Sequence, residues 1–274
     1  MDARTVVGSV ARRLPRGRSR AAIWLHRHPG EGSIEFVDTT GHCRTADLRD
    51  TMECQWFAGV SLGIPRDVLG RVGPGDWAID VGANIGIVTG QLAARVGDEG
   101  HVWAIEPVPR NYECLRDVRQ RNSLNMITTF DVAAGAEDGT VTLRLPPPGG
   151  SAWASVTASW INADSIAVPV RSLDSLVAEY GSQGRLVLIK IDVEGYESQV
   201  LRGATETLAR FRPLLQVEFN DQILLDAGSS SVDLLGEFQN AGYRAVDRDG
   251  CTPERLHMRV VDLLLEPVNA RAGT

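Results

Sequence analysis

The chain has 274 residues and a formal net charge of −7, with 43 % hydrophobic and 23 % charged residues. That is enough chain for one α/β domain with a substantial core. The acidic balance argues against nucleic-acid binding. There is no apolar run long enough to span a membrane, and the first twenty residues lack the apolar centre of a secretion signal. A cytoplasmic chain without nucleic-acid or membrane partners is expected.

The charge is uneven. Residues 1–20 hold six Arg and one Asp, so +5, which leaves −12 for the remainder. Such a basic arm reads as a solvated terminus. The cysteines at 43, 54, 114 and 251 show no CxxC spacing. This speaks against a zinc site or a disulfide framework and for a reducing compartment. Of the 28 basic residues 27 are Arg, and the only Lys is Lys190.

Residues 4–20 read as a short basic helix. Two alternating stretches, 23–28 and 33–38, flank Pro29-Gly30-Glu31-Gly32 and read as a β-hairpin. Residues 51–72 read as helical, broken near Gly63-Ile64-Pro65. We take 1–70 as an N-terminal extension (basic arm, hairpin, helical cover) placed to cover a pocket and to offer a homodimer surface. From Gly75 short apolar strands alternate with amphipathic helices, the mark of a parallel sheet with helices on both faces. Strands are expected at 77–81, 101–106, 127–132, 186–191, 214–219, 243–247 and 260–266. Helices are expected at 86–96, 109–122, 173–180, 197–210 and 232–240. An insert around 140–170 carries two further strands, 140–145 and 166–170. Between them lie three prolines, two glycines and a Ser/Trp-rich stretch. Residues 71–274 thus form the main domain.

The informative segment is Asp80-Val81-Gly82-Ala83-Asn84-Ile85-Gly86. It follows an apolar strand and opens a helix. Glycines allow a tight turn and close approach of a ligand, and the helix start supplies free N–H groups. Twenty residues after Gly86 comes Glu106, a carboxylate able to accept both bonds of a ribose diol. A nucleoside-type ligand across the strand tips follows. Asn84 stands where a dinucleotide loop needs its middle glycine for the pyrophosphate. Asp80 would repel a diphosphate but suits a ligand with an amino group and a sulfonium.

Asp80–Gly86 resembles motif I of class I S-adenosylmethionine methyltransferases. With Glu106-Pro107, Ile189-Lys190-Ile191-Asp192-Val193-Glu194-Gly195, Glu197, Leu173-Asp174-Ser175-Leu176 and Val200-Leu201-Arg202-Gly203, the chain resembles the FkbM family over roughly 75–220. The resemblance implies a Rossmann-like α/β fold. Its seven-stranded, mostly parallel sheet would have order 3-2-1-4-5-7-6, with the last strand antiparallel. It implies S-adenosylmethionine as cofactor and S-adenosylhomocysteine as product. Gly82, Ala83, Asn84, Ile85 and Gly86 would hold the methionine part, with Asp80 and Thr89 beside them. Glu106 would bind the ribose, next to Pro107, with Asp131 and Val132 near the adenine.

Leu186–Ile191 reads as a central strand buried on both faces, where a lysine is costly unless paired or neutral. Lys190 and Asp192 share a face, and Glu194 lies just beyond the strand. Asp192, Glu194 and Lys190 are the candidate catalytic groups. Either carboxylate could act as base or hold the acceptor, while Lys190 could assist deprotonation or orient Asp192. The bland alternative is a structural ion pair of Lys190 with Asp192 or Glu218. Glu218 completes a carboxylate trio that could take Mg²⁺, although a divalent metal is not expected. The expected reaction is O-methylation of a hydroxyl on a small natural product or sugar. N-methylation of a small amine is the nearest variant. An NAD-dependent oxidoreductase is the alternative from another class.

Overall fold

The computed structural model describes residues 18–29, 33–60, 63–145, 155–156, 164–246, 256–257 and 259–268. The extension begins with α1 (Arg18–Arg27), where a strand was expected at 23–28. Its buried residues are Ala22 and Leu25, three apart, while Ile23 and Trp24 are exposed. That is the burial period of a helix, and the apparent alternation at 23–28 misled. The expected helix at 4–20 otherwise lies outside the described residues. The hairpin exists but is built from β1 (Ser33–Val37) and β2 (Cys43–Asp47), paired antiparallel. Short helices α2 (Thr51–Phe57) and α3 (Arg66–Leu69) follow in place of one broken helix over 51–72. Asp50 caps α2, its side chain accepting from the N–H groups of Met52 and Glu53.

The main domain runs β3 (Trp77–Val81), α4 (Ile87–Val96), β4 (His101–Ile105), α5 (Pro109–Arg121) and β5 (Ile127–Phe130). Next come β6 (Ala133–Ala134), β7 (Gly139–Arg144), β8 (Ser165–Arg171) and α6 (Leu173–Tyr180). Then follow β9 (Leu186–Ile191), α7 (Glu197–Arg202), α8 (Thr205–Phe211) and β10 (Leu214–Asn220). The described chain closes with α9 (Asp221–Asp226), α10 (Ser231–Asn240), β11 (Tyr243–Ala245) and β12 (Val260–Pro267).

Seven strands form the main sheet in the order β11-β12-β10-β9-β3-β4-β5. Counted within this sheet alone, and read from β5, the order is 3-2-1-4-5-7-6. The chain-wide numbers differ because β1 and β2 precede the sheet and β6 to β8 interrupt it. β12 runs antiparallel to both β10 and β11. Residues 131–132, expected to extend β5, instead lead into β6, which joins β8 and β7 in a separate three-stranded sheet.

Strand alternation divides the core. Trp77, Ile79 and Val81 pack with Leu176, Val200, Leu208 and Leu234 on the α6, α7, α8 and α10 side. Ala78, Val102 and Leu188 pack with Val68, Leu92 and Leu115 on the α3, α4 and α5 side. Both faces of β3 and β9 are therefore covered, as parallel strands require. Asp80 lies on the second face, and Lys190 is its register partner on β9.

The single helix expected over 197–210 is two helices. Gly203 caps α7, and a Cβ there would lie 1.9 Å from the Gly135 carbonyl oxygen. The backbone of β6 and the start of α6 approach at this point, and Asp174 N–H donates to Gly203 O. Gly203→Ala should force these backbones apart. Overpacking of this kind costs about 1–3 kcal/mol. The expected readout is a lower thermal midpoint by several degrees, measured by circular dichroism.

Candidate functional site

The carboxyl ends of β3, β4, β9 and β10 open into a cleft of about 350 Å³. Its centre is the turn between β3 and α4. Gly82 and Gly86 have φ of 76° and 83°, and Asn84, at 51°, is a non-glycine residue in the same left-handed region. Asn84 tolerates this because its side-chain oxygen accepts from Ile85 N–H at 2.7 Å. Gly82 has no alternative. A Cβ there would sit 1.9 Å from the Asp192 carbonyl oxygen, because the turn packs directly against the end of β9.

Glu106, 4 % exposed, holds the turn from one side. Its Oε2 accepts from Asn84 N–H at 2.8 Å and its Oε1 from Val108 N–H at 2.9 Å. The Asn111 side chain bonds it as well. Burial nevertheless pushes the Glu106 carboxyl up to about 7, against the downward pull of these bonds.

Lys190 holds the turn from the other side. Its Nζ donates to Gly82 O at 2.9 Å, and it lies 3.1 Å from Asp192 Oδ2 and 3.6 Å from Asp80 Oδ1. Burial favours the neutral amine, but the Asp192 and Asp80 carboxylates outweigh it and hold the ammonium above its ordinary range. The expected options for Lys190 therefore narrow. The ion pair with Asp192 fits both orientation of that carboxylate and the purely structural pairing expected as its alternative. Asp80 is fully buried beneath the turn and accepts from Thr89 Oγ1 at 2.6 Å.

The far wall is acidic. Oxygens of Asp192, Glu194 and Glu218 lie within 4.8 Å of one another, a spacing that would admit a divalent cation. Burial and then the Asp192 charge raise Glu194 to about 8 and Glu218 to about 9. Glu194 sits in the left-handed region at φ 52°, followed by Gly195 at 94°. Buried Glu197 braces this bend, its Oε1 accepting from the N–H groups of Val193 and Gly195. From the insert, Ser155 Oγ donates to Glu194 O at 2.6 Å.

Most of the expected site residues thus converge. Gly82, Ala83, Asn84, Ile85, Glu106, Pro107, Lys190, Asp192, Glu194 and Glu218 line the cleft. Asp80, Gly86 and Thr89 lie behind the turn rather than on the cleft surface. Asp131 is exposed and Val132 packs against the Trp77 face of the core, and neither lines the cleft. Ala133 and Ala134 do. Asn111, Tyr196, Gln216 and Asp262 also line it, as do Met52 and Ile64 from the extension. Gln216 was legible, since it shares a strand face with Glu218. Asp262 was not, because only the antiparallel pairing of β12 sets it opposite Glu218.

A family model described as the methyltransferase FkbM domain matches residues 80–245, more than half of the chain. The chain belongs to the FkbM methyltransferase family. It is 27 % identical over 198 residues to the 2-O-methyltransferase NoeI of Sinorhizobium fredii, covering 65 % of this chain and 79 % of NoeI. It is 24 % identical over 142 residues to Methyltransferase 1 of Beauveria bassiana, covering 46 % and 57 %. The alignment thus spans little more than half of the fungal relative. Among solved structures, an FkbM methyltransferase from Methylobacillus flagellatus aligns with TM-score 0.45 and 19 % identity, covering 94 % of this chain and 57 % of that one. A methyltransferase from Aquifex aeolicus aligns with TM-score 0.44 and 14 % identity, covering 74 % and 89 %. The sheet order 3-2-1-4-5-7-6 is the one expected for a class I methyltransferase, and membership in the FkbM family displaces the oxidoreductase alternative.

The raised carboxyls have a consequence for stability. Near neutral pH the folded FkbM protein keeps protons on Glu194 and Glu218 that the unfolded chain has released. The folded state therefore binds more protons between about 4.5, the ordinary value, and about 9. Stability contributed by these protons is complete below that window and is lost as pH rises through it. Glu218→Gln removes one such group. Its thermal midpoint should fall less steeply with rising pH across the window than that of the wild type. An unchanged slope would show that Glu218 does not hold the proton.

Proposed function

We propose that this FkbM methyltransferase moves a methyl group from S-adenosylmethionine to a hydroxyl of a small natural product or sugar, leaving S-adenosylhomocysteine. The observation that carries the reading is the convergence of the left-handed turn at Asn84, the Glu106 carboxylate and Asp192 on one cleft. The residues present fit the cofactor. Gly82, Ala83, Asn84 and Ile85 would face the methionine part. Glu106 accepts from the N–H groups of Asn84 and Val108 and from Asn111, which leaves its remaining acceptor site for a ribose hydroxyl. The acidic wall suits a sulfonium. Asp131 and Val132 drop out of the reading, since neither borders the cleft.

When bound, S-adenosylmethionine supplies the electrophilic methyl group. The chain's own residues supply alignment, charge and proton control. Lys190 fixes Asp192 through a 3.1 Å ion pair, so that the other carboxylate oxygen is available to the acceptor hydroxyl. Asp192 takes the hydroxyl proton as oxygen becomes the nucleophile, a role worth about 10²–10⁴-fold in rate. Glu194 and Glu218, carrying protons near neutral pH, can donate hydrogen bonds to other oxygens of the acceptor. Leu143, Val156 and Tyr196 line the cleft from the small sheet, the insert and the bend after β9, and would exclude water. Oxygen as the receiving atom is supported by the relative NoeI, which is named a 2-O-methyltransferase.

Calorimetry should show S-adenosylhomocysteine binding to the wild type and no NAD binding. Absence of heat with S-adenosylhomocysteine on folded protein would overturn the reading. Asp192→Asn should lower kcat by about 10²-fold or more while leaving S-adenosylhomocysteine affinity within a few-fold. Methyl transfer should survive chelation by EDTA. Loss on chelation with rescue by Mg²⁺ would instead assign Asp192, Glu194 and Glu218 to a metal.

A further inference from the structure

The extension reaches into the cofactor turn through one side chain. Arg44, on β2, has a fully buried side chain. Its Nε donates to Asp38 Oδ2 at 2.9 Å. Asp38 is itself fixed, its Oδ1 accepting from Thr40 N–H at 2.8 Å and His42 N–H at 3.1 Å. The Arg44 guanidinium lies 5.0 Å from the Trp56 ring centre. Its far end leaves the extension altogether. Nη2 donates to Gly86 O at 3.0 Å and Nη1 lies 3.5 Å from Ile85 O.

The helix beneath makes room for this contact. Gly90, in the first turn of α4, has no Cβ, and one placed there would stand 2.2 Å from Arg44 Nη2. Ile85 adds an apolar counterpart, since it packs into the cluster of Leu25, Phe36, Trp56 and Phe57. Burying a guanidinium costs several kcal/mol unless its donors are met. Here they are met partly by the carbonyls that close the cofactor turn. A planar fork reaches Asp38 on one side and two successive carbonyls on the other, a spread that a compact ammonium does not cover. Holding the Gly86 carbonyl also fixes the peptide plane whose N–H belongs to Ile87, a residue on the cleft surface.

We infer that Arg44 is a positioning residue for the cofactor. It locks the peptide planes at Ile85 and Gly86, so that the N-terminal hairpin sets the affinity of the turn without touching the ligand. The inference rests on the S-adenosylmethionine reading above. The two fail separately, because the wild type alone tests that reading.

The experiment compares the full-length wild type with Arg44→Lys and Gly90→Ala. Gly90→Ala displaces the guanidinium, and presses on His42 Nδ1, without changing any residue of the hairpin. Each variant should bind S-adenosylhomocysteine on the order of tenfold more weakly, as for one lost charged hydrogen bond. KM for S-adenosylmethionine should rise, with KM for the acceptor held within about twofold. Amides of residues 83–90 should exchange faster with deuterium. The double variant should lose little more than either single one, since both break the same contact. Glu35→Ala serves as a control that cuts an exposed ion pair between the hairpin and Arg121 without touching the guanidinium. It should keep S-adenosylhomocysteine affinity within about twofold of wild type. A wild type that binds S-adenosylhomocysteine alongside an Arg44→Lys variant of equal affinity would overturn the inference. So would a Glu35→Ala protein that loses as much affinity as Arg44→Lys.

Discussion

One turn of backbone, from Gly82 to Gly86, is held by three side chains that arrive from distant parts of the chain. Glu106, at the end of β4, takes the Asn84 N–H. Lys190, in β9, takes the Gly82 carbonyl. Arg44, in the hairpin, takes the Gly86 carbonyl. The turn has left-handed residues at 82, 84 and 86, a conformation with little intrinsic preference for itself. It keeps its shape because its carbonyls and amides are pinned from outside. The cleft, the approach of Asp192 and the docking of the extension all depend on that grip.

The two cations of this grip are not interchangeable. At 190 the available space lies between two parallel strands, with Gly82 O, Asp80 and Asp192 around a single point. A compact ammonium answers that demand, which explains a lysine in a chain otherwise built on arginine. At 44 the acceptors are spread along the start of a helix and across to Asp38, and a planar fork fits them. The second tie of the extension has the same logic. Buried Glu53 of α2 meets Arg110 at the start of α5, just beyond the loop carrying Glu106. The extension thus bonds to the turn at 85–86 and to the start of α5, on the Glu106 side of the cleft.

The opposite wall works by excess rather than balance. Asp192 pairs with Lys190, whereas Glu194 and Glu218 crowd the same Asp192 charge, and burial together with that charge raises both carboxyls. Carboxyls raised in this way can both accept and donate hydrogen bonds. That is a suitable surface for a hydroxyl-rich ligand, and a poor one for an anion.

Much of this is legible in the sequence. The strand–turn–helix at 77–96, Glu106 and the Lys190–Asp192–Glu194 run could be read because they are local. Each depends on periodicity and on residues whose chemistry is out of place in a buried strand. The misreadings have one local and one remote origin. The stretch 23–28 looked alternating but buries Ala22 and Leu25 on a helix. The helix over 197–210 breaks because the backbone at Gly135 comes up against Gly203, a neighbour 68 positions away in the chain.

By itself, the sequence determined the sheet, its helical layers, the turn and the identity of the groups at the strand tips, because apolar period and glycine placement act over a few residues. Tertiary structure alone decided which of those groups meet. It brought Arg44 onto the turn, set Asp262 opposite Glu218, moved Asp131 and Val132 away from the cleft, and kept Lys190 charged. The physical reason is that pairing register, burial and charge proximity are properties of contacts between remote segments, and no local pattern of residues encodes them.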